Sequence, residues 1–161
     1  LGQPTRSDVE LATADGARYA WRGGVGAGRS VVAFSAICAH QLAYPTRDIS
    51  FISYRDAAGP VDRRARVIHC CAEHSQYDPA DGGRVLGGPA TQPLAAILLE
   101  HDPATDELTA IGTQGGEMFD AFFAKYEFRL AMEHGGRARQ PSEPTEVVVP
   151  LEQYCRQQVR C

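Results

Sequence analysis

The chain has 161 residues, enough for one domain that buries its own hydrophobic core without disulfide or metal staples. Its apolar fraction of 43%, charged fraction of 22% and net charge of −4 are those of an ordinary globular protein. Arginines are scattered and no basic aromatic face is present, so we expect no nucleic-acid partner. No apolar run is long enough to cross a bilayer, and because the first residue is Leu1, we expect any signal or membrane anchor to lie upstream of it.

Short strands separated by turns are predicted along the first two thirds of the chain. They are recognised by alternating polarity or by β-branched content, and they fall within residues 17–22, 30–37, 49–54, 66–70, 80–86, 95–101 and 107–111. The last two would pair as a hairpin across residues 102–106. Antiparallel strands should therefore dominate the middle of the chain.

The pattern changes after the glycines at 115–116. From 117 to 132, aromatic and aliphatic residues recur at helical spacing, which predicts one helix that ends at the glycines of 135–136. We expect its apolar stripe to pack on the sheet, with a partner-binding helix as the alternative. In the tail, a proline-containing linker with a short edge strand at 146–149 is predicted, and 151–161 has no clear pattern.

Two short motifs, separated by residues 41–70, each combine a cysteine with a histidine at the end of a predicted strand. They contain Cys38 with His40, and Cys71 with His74. Two thiolates and two imidazoles can hold a pair of sulfide-bridged irons, with the thiolates on one iron and the imidazoles on the other, or they can hold one zinc ion. Zinc fingers keep their two cysteines together in one knuckle, whereas each motif here is mixed. The mixed spacing favours the iron–sulfur cluster, and zinc remains the alternative.

Three cysteines lie outside these motifs. We expect Cys70 to be a small buried apolar residue. A disulfide between Cys155 and Cys161 would close a short polar loop, but the sequence leaves their pairing open. His69 is assigned to the strand rather than to the metal site.

Over about residues 30–112 the chain resembles the Rieske iron–sulfur family. The matching segments are Cys38-Ala39-His40, Cys71-Ala72-Glu73-His74, Ser75-Gln76-Tyr77-Asp78, and Gly88-Pro89-Ala90, which is similar to the proline loop that covers the cluster in that family. The resemblance implies a Rieske-type [2Fe–2S] cluster with Cys38, His40, Cys71 and His74 as ligands, Ser75 and Tyr77 as tuning residues, and Gly88 and Pro89 as its cover.

The same resemblance implies a mainly β fold of stacked antiparallel sheets. A single domain would span 1–161, with a small cluster-binding subdomain at about 36–94. One helix at about 117–132 would belong to a helix-and-tail extension over 115–161.

Two departures from the family pattern stand out. Rieske subunits of cytochrome bc complexes join their two ligand loops by a disulfide, and the corresponding positions here look like Ala43 and Glu73. That bridge is absent, so we expect the connection 41–70 or the proline loop to hold the ligand loops together. The segment after His74 is also one residue shorter than usual, which leaves the alignment of Ser75 open.

One-electron transfer is the function that the resemblance implies, with His40 and His74 as solvent-side ligands and the contact point for a partner. Residues 87–94 look most like the small subunit of arsenite oxidase, with the cytochrome bc subunit second. Partners would be donor and acceptor proteins or a quinol, with a larger catalytic subunit, at the periplasmic or other extracytoplasmic face of a membrane.

Two alternatives to this subunit remain. One is a soluble Rieske ferredoxin that feeds an oxygenase in the cytoplasm, and the other is a zinc-stapled Cys2His2 binding module that docks a partner through the helix 117–132. An independent catalyst is not expected, because no Ser-His-Asp or paired-carboxylate pattern stands out. The remaining histidines, His69, His101 and His134, lack the spacing of a second iron site.

Overall fold

The structure is a computed structural model that describes residues 1–59, 63–141 and 145–161. Its strands are β1 (Val9–Ala12), β2 (Arg18–Trp21), β3 (Ala33–Phe34), β4 (Ile49–Ser50), β5 (Ile52–Arg55), β6 (Val67–Cys70), β7 (Ser75–Asp78), β8 (Arg84–Gly87), β9 (Ala96–Asp102), β10 (Glu107–Gln114) and β11 (Gln157–Gln158). Its α-helices are α1 (Glu117–Lys125), α2 (Glu127–His134) and α3 (Leu151–Tyr154). The prediction of a mainly β fold with antiparallel sheets is confirmed.

An antiparallel sheet of four strands, in the order β5-β6-β7-β8, carries the second cysteine–histidine motif. A second sheet, β10-β9-β3, contains the predicted hairpin, which is confirmed with a bulge between Ala110 and Gly112. Strands β1 and β2 form a separate antiparallel pair, and β4 pairs with β11 in parallel. The four-stranded sheet lies wholly inside the sequence range predicted for a cluster-binding subdomain.

Two hydrophobic clusters share the partly buried ring of Phe34. The first surrounds the ligand motifs and contains Cys38, Cys70, Tyr77, Ala90 and Leu94. The second joins β1 and β2 to β9 through Val9, Leu11, Trp21 and Ala96. Because both clusters contact Phe34 at the end of β3, the first ligand turn starts from a packed position.

Two predicted strands differ in the structure. Within 30–37 only β3 forms, paired with Ala96 and Ile97, while Val31 makes an isolated bridge to Val25. The predicted edge strand 146–149 is wrong, because that segment has no strand partner among the described residues and its valines face solvent. The tail instead pairs with β4 through β11, whose two glutamines show no strand pattern in the sequence.

The predicted helix 117–132 forms as two helices that break at Tyr126. That residue is not helical (φ −113°, ψ 19°), and its ring lies 5.0 Å from the rings of both Phe122 and Tyr44. The predicted end is confirmed, since α2 stops at His134 and Gly135 takes the left-handed conformation. Within the aromatic stripe, Phe122 and Tyr126 therefore pack on the loop that carries Tyr44.

Parts of two predicted segments lie outside the described residues: 60–62 in the connection between the motifs, and 142–144 in the tail linker. Across the described ranges, no helix combines the length and the apolar content that crossing a bilayer requires.

Gly82 offers a test of the packing between the ligand-bearing sheet and the β1–β2 pair. Its φ is +70°, and a Cβ there would lie 2.7 Å from Leu11 Cδ1 and 3.1 Å from Trp21 Cε3. Gly82→Ala should lower the free energy of unfolding by about 2–4 kcal/mol, from backbone strain plus overpacking. Gly16→Ala is the matched control, because Gly16 has φ +90° and open space around it, and it should cost about 1 kcal/mol. Equal losses in denaturant titrations would contradict the packing contact.

Candidate metal centre

Cys38 opens the first ligand turn and is 2% exposed. The turn is closed by a hydrogen bond from the N–H of Leu42 to the carbonyl of Cys38, at 2.9 Å. The backbone N–H groups of His40 and Gln41, two and three residues further on, help to lower the pKa of the Cys38 thiol. The first motif is thus a tight turn whose backbone favours negative charge on the Cys38 sulfur.

Cys70 ends β6 and is 1% exposed. Its register partners are Ile52 on one side and Ser75 on the other, so it is held between two strands. The backbone N–H groups of Ala72 and Glu73, two and three residues further on, act to lower the pKa of the Cys70 thiol, as those of His40 and Gln41 do for Cys38. The backbone thus acts on the two cysteines in the same direction.

The thiols of Cys38 and Cys70 lie in the same buried cluster. A hydrogen bond from the Cys70 thiol lowers the pKa of Cys38, against the effect of burial, and the Tyr77 hydroxyl 3.5 Å away lowers that pKa further. The same thiol–thiol hydrogen bond raises the pKa of Cys70, and burial raises it again. Burial, followed by the hydrogen bond to Cys38, raises the pKa of Tyr77. The site is therefore a buried pair of sulfurs with one of them disposed to be a thiolate.

The structure differs from the sequence prediction at Cys71. This cysteine forms a disulfide with Cys161, with Cα atoms 5.6 Å apart. A disulfide sulfur offers no thiolate, and the structure does not bring Cys71 to Cys38, so its role as a ligand stays a prediction. Cys155 is a free, buried cysteine whose thiol donates to the Gln157 carbonyl at 3.0 Å, so no Cys155–Cys161 bond forms.

Strand geometry explains why adjacent cysteines have different partners. Side chains along a strand point alternately to opposite faces. Ile68 and Cys70 face the hydrophobic cluster, while His69 and Cys71 face the tail. The predicted strand position of His69 is confirmed, and its ring also lies 3.6 Å from the sulfur of Cys161.

The two predicted histidine ligands have different surroundings. His40 has a buried Nδ1 atom with no hydrogen-bond partner within the described ranges. His74 is exposed, has φ +59°, and its ring centroid is 5.7 Å from that of His69. One nitrogen from each of His69 and His74 and the sulfur of Cys161 lie within 4.8 Å of one another. His74 therefore follows the second turn in the chain, and in space it lies close to His69 and to Cys161 of the tail.

The four predicted tuning and covering residues all lie near the second turn. Ser75 is fully buried, and its hydroxyl has no hydrogen-bond partner among the residues described. Tyr77 is fully buried beside Cys38. A Cβ on Gly88 would lie 2.5 Å from the carbonyl oxygen of His74 and the Cα of Ser75, so the loop with Pro89 presses directly on the turn. The close approach requires glycine at 88, which also has φ +86°.

Helices α1 and α2 brace the first ligand turn through Tyr44. Its ring lies 5.6 Å from that of Phe122, Arg129 lies over it at 3.8 Å, and its hydroxyl donates to Glu133. Lys125 donates to the carbonyl of Gln41 at 2.6 Å. Sequence reasoning missed this brace because a stripe of aromatic residues on a helix does not identify the surface that it covers.

A small, mainly apolar cavity of about 150 Å³ lies beside the two buried sulfurs. Cys38 and Cys70 contribute to one wall, and the opposite side includes Tyr44 and the α3 residues Leu151 and Tyr154. Both thiols therefore line one space whose wall also includes residues from the C-terminal part of the chain.

No protein-family model matches the sequence. The crystal structure of the soluble domain of Rieske protein II from Sulfolobus acidocaldarius is similar to the chain, with 28% sequence identity and a TM-score of 0.43. The match covers 67% of this chain and 56% of that one, so the chain spans little more than half of that protein's length. A TM-score of this size carries no argument about function, which has to rest on the site itself.

The helical brace can be tested with two phenylalanines of the helical region. Phe122 is 6% exposed and packs on Tyr44, whereas Phe128 on α2 is 79% exposed. Phe122→Ala should lower the free energy of unfolding by about 3–5 kcal/mol, because it leaves a cavity. Phe128→Ala should change it by less than about 0.5 kcal/mol. Hydrogen exchange at the Leu42 amide should also quicken in Phe122→Ala, and unchanged protection there would contradict the brace.

Proposed function

We propose that this chain is a one-electron transfer protein that carries a Rieske-type [2Fe–2S] cluster. The observation that carries the proposal is the burial of two cysteine thiols from two separate turns, Cys38 and Cys70, in one cluster. Two residues after Cys38 comes His40, whose buried Nδ1 has no hydrogen-bond partner in the described part of the chain. Such a cluster takes two cysteines on one iron and two histidines on the other.

The donor set fits this cofactor. Each of the two turns supplies a cysteine, from Cys38 in the first and from the Cys70–Cys71 pair in the second, and each supplies a histidine, His40 or His74. Backbone N–H groups directed at a sulfur stabilise negative charge on it, and both buried sulfurs have two such donors. When bound, the cluster supplies a site that accepts and releases one electron.

The side chains around the sulfurs control solvent and charge. Tyr77 brings a buried hydroxyl group beside Cys38, where a hydrogen bond to a charged sulfur is strong, and the buried Ser75 lies opposite Cys70 in the sheet. His74 faces solvent and provides the contact point for a redox partner. The chain thus buries the two sulfurs and exposes His74.

A zinc module is the second candidate, and a specific observation points to it. His69, His74 and Cys161 offer ligand atoms within 4.8 Å of one another. Against this candidate, Cys161 is in a disulfide, so that group provides two imidazoles and no thiolate. The iron–sulfur function is therefore preferred.

Metal analysis of the purified protein separates the two functions. The iron–sulfur proposal predicts two irons and two labile sulfides per chain, a red-brown colour, and a low-field EPR signal after reduction. One zinc per chain in a colourless protein, with no sulfide, would exclude it and support the zinc module.

The finer role that we propose is an electron-transfer subunit of a respiratory or oxidase complex, closest in kind to the small subunit of arsenite oxidase. The run 87–94 supports this choice over a cytochrome bc subunit. An extracytoplasmic location is supported by the Cys71–Cys161 disulfide, because such bonds persist mainly in oxidising compartments. Its partners would be donor and acceptor proteins or a quinol. A reduction potential measured against pH tests the role, since a low, pH-independent value would favour a ferredoxin that feeds an oxygenase.

Tyr77 should raise the reduction potential, which we expect in the upper half of the range of about −150 to +300 mV. Its hydroxyl can donate to the Cys38 sulfur, whose charge density increases on reduction. A hydrogen bond to a charged group contributes about 1.5–3 kcal/mol, so Tyr77→Phe should lower the potential by about 60 mV or more. Tyr54→Phe is the control, because Tyr54 is exposed and its hydroxyl donates to Asp56. An unchanged potential in Tyr77→Phe would refute the role of its hydroxyl.

A further inference from the structure

We propose that Cys70, and not Cys71, supplies the second cysteine ligand, while Cys71 and Cys161 form a structural latch that ties the C-terminal tail to the ligand turn. This inference rests on the proposed iron–sulfur function and specifies its ligand set. It assigns different roles to two adjacent cysteines, and the spacing of the sequence motif alone does not distinguish these roles.

The face of β6 decides which cysteine can reach Cys38. Cys70 points into the cluster of buried residues that contains Cys38 and Tyr77, and both thiols line the same small cavity. Cys71 comes one residue later and points to the opposite face. To bring the sulfur of Cys71 to Cys38, the disulfide would have to break and the end of β6 would have to rotate, which would turn Cys70 out of the core.

The neighbours of the sulfurs support the same assignment. Nη2 of Arg55 donates to the Cys71 sulfur at 3.2 Å, and that sulfur is bonded to Cys161. The Cys38 sulfur instead has the Tyr77 hydroxyl 3.5 Å away, within the buried cluster that also contains Cys70.

The latch is built from several contacts of the tail with the sheet region. Strand β11 pairs in parallel with β4, and Val159 N donates to the Ser50 carbonyl at 2.9 Å. Arg55, while bound to Cys71, also donates to the Val159 carbonyl at 3.1 Å. The disulfide adds a covalent link at the last described residue, Cys161. The tail thus lies along β4 and ends on the second ligand turn.

This arrangement gives Cys71 and Cys161 the same role, that of the two halves of one disulfide. If they act only as a latch, replacing either one removes the same bond and should have the same consequence. If Cys71 were a ligand, its replacement would remove the cluster, whereas replacement of Cys161 would not.

Four variants of the full chain test the assignment: Cys70→Ala, Cys71→Ala, Cys161→Ala and Cys155→Ala. We expect Cys70→Ala to lower iron and sulfide per chain at least tenfold. Cys71→Ala and Cys161→Ala should both retain the wild-type EPR signal and lose iron to a chelator several-fold faster, at rates equal to each other. Cys155→Ala is the matched control, because Cys155 is buried and free, and it should release iron at the wild-type rate.

A second measurement uses the wild-type protein, so that it does not depend on the folding of a variant. Thiol alkylation followed by peptide mass spectrometry should find Cys71 linked to Cys161 both before and after iron removal. In the folded, iron-containing protein, Cys38 and Cys70 should not be alkylated. After iron has been removed and the protein unfolded for labelling, both should be alkylated.

Three outcomes would overturn the assignment. They are a Cys70→Ala variant that keeps its cluster, a Cys71→Ala variant that loses it while Cys161→Ala keeps it, and a wild-type protein in which Cys71 is protected by the cluster rather than by Cys161. A wild-type protein without iron or sulfide would instead remove the proposed function itself, and the ligand assignment with it.

Discussion

The burial of two sulfurs, those of Cys38 and Cys70, in one hydrophobic cluster is the constraint that the surrounding structure has to satisfy. Negative charge on a buried sulfur is costly unless hydrogen bonds compensate for the lost water. Tight turns after Cys38 and Cys70 provide those bonds from the backbone, and Tyr77 adds a hydroxyl from β7. Both turns must therefore be held rigidly, because a small displacement would remove the donors.

The rigidity comes largely from the C-terminal third of the chain. Helices α1 and α2 hold the first turn by packing around Tyr44, and the tail holds the second through the Cys71–Cys161 disulfide. That disulfide spans a sequence separation of 90 residues, and in the chain-entropy account a loop of this size corresponds to about 4–5 kcal/mol of stabilisation. The two ligand turns are thus not bonded to each other directly. The first is attached to helices α1 and α2, and the second is attached to the tail. The proline loop contributes only at the second turn, where Gly88 approaches His74 and Ser75.

Local patterns predicted the elements that depend on local causes. The hairpin β9–β10, the strand β6 and the helix end at Gly135 follow from alternation, turn chemistry and glycine geometry. The pairing of β11 with β4 could not be predicted, since two polar residues gain their partner only from the tertiary fold. The choice between Cys70 and Cys71 is different, because the strand phase of β6 was already visible in the sequence. Motif spacing pointed to Cys71, whereas alternation along the strand places Cys70 beside Cys38.

Two adjacent cysteines in different oxidation states could exchange partners, and the structure opposes this exchange in two ways. Thiol–disulfide exchange needs a thiolate with access to a disulfide sulfur. Without the cluster, hydrogen bonding to Cys38 and burial raise the pKa of Cys70, which makes its thiol a weak nucleophile. Cys38 carries the more acidic thiol, but it lies with Cys70 on the opposite face of β6 from the Cys71–Cys161 bond. The plane of the strand thus separates a reduced pair of sulfurs from an oxidised pair, although the chain places Cys70 and Cys71 side by side.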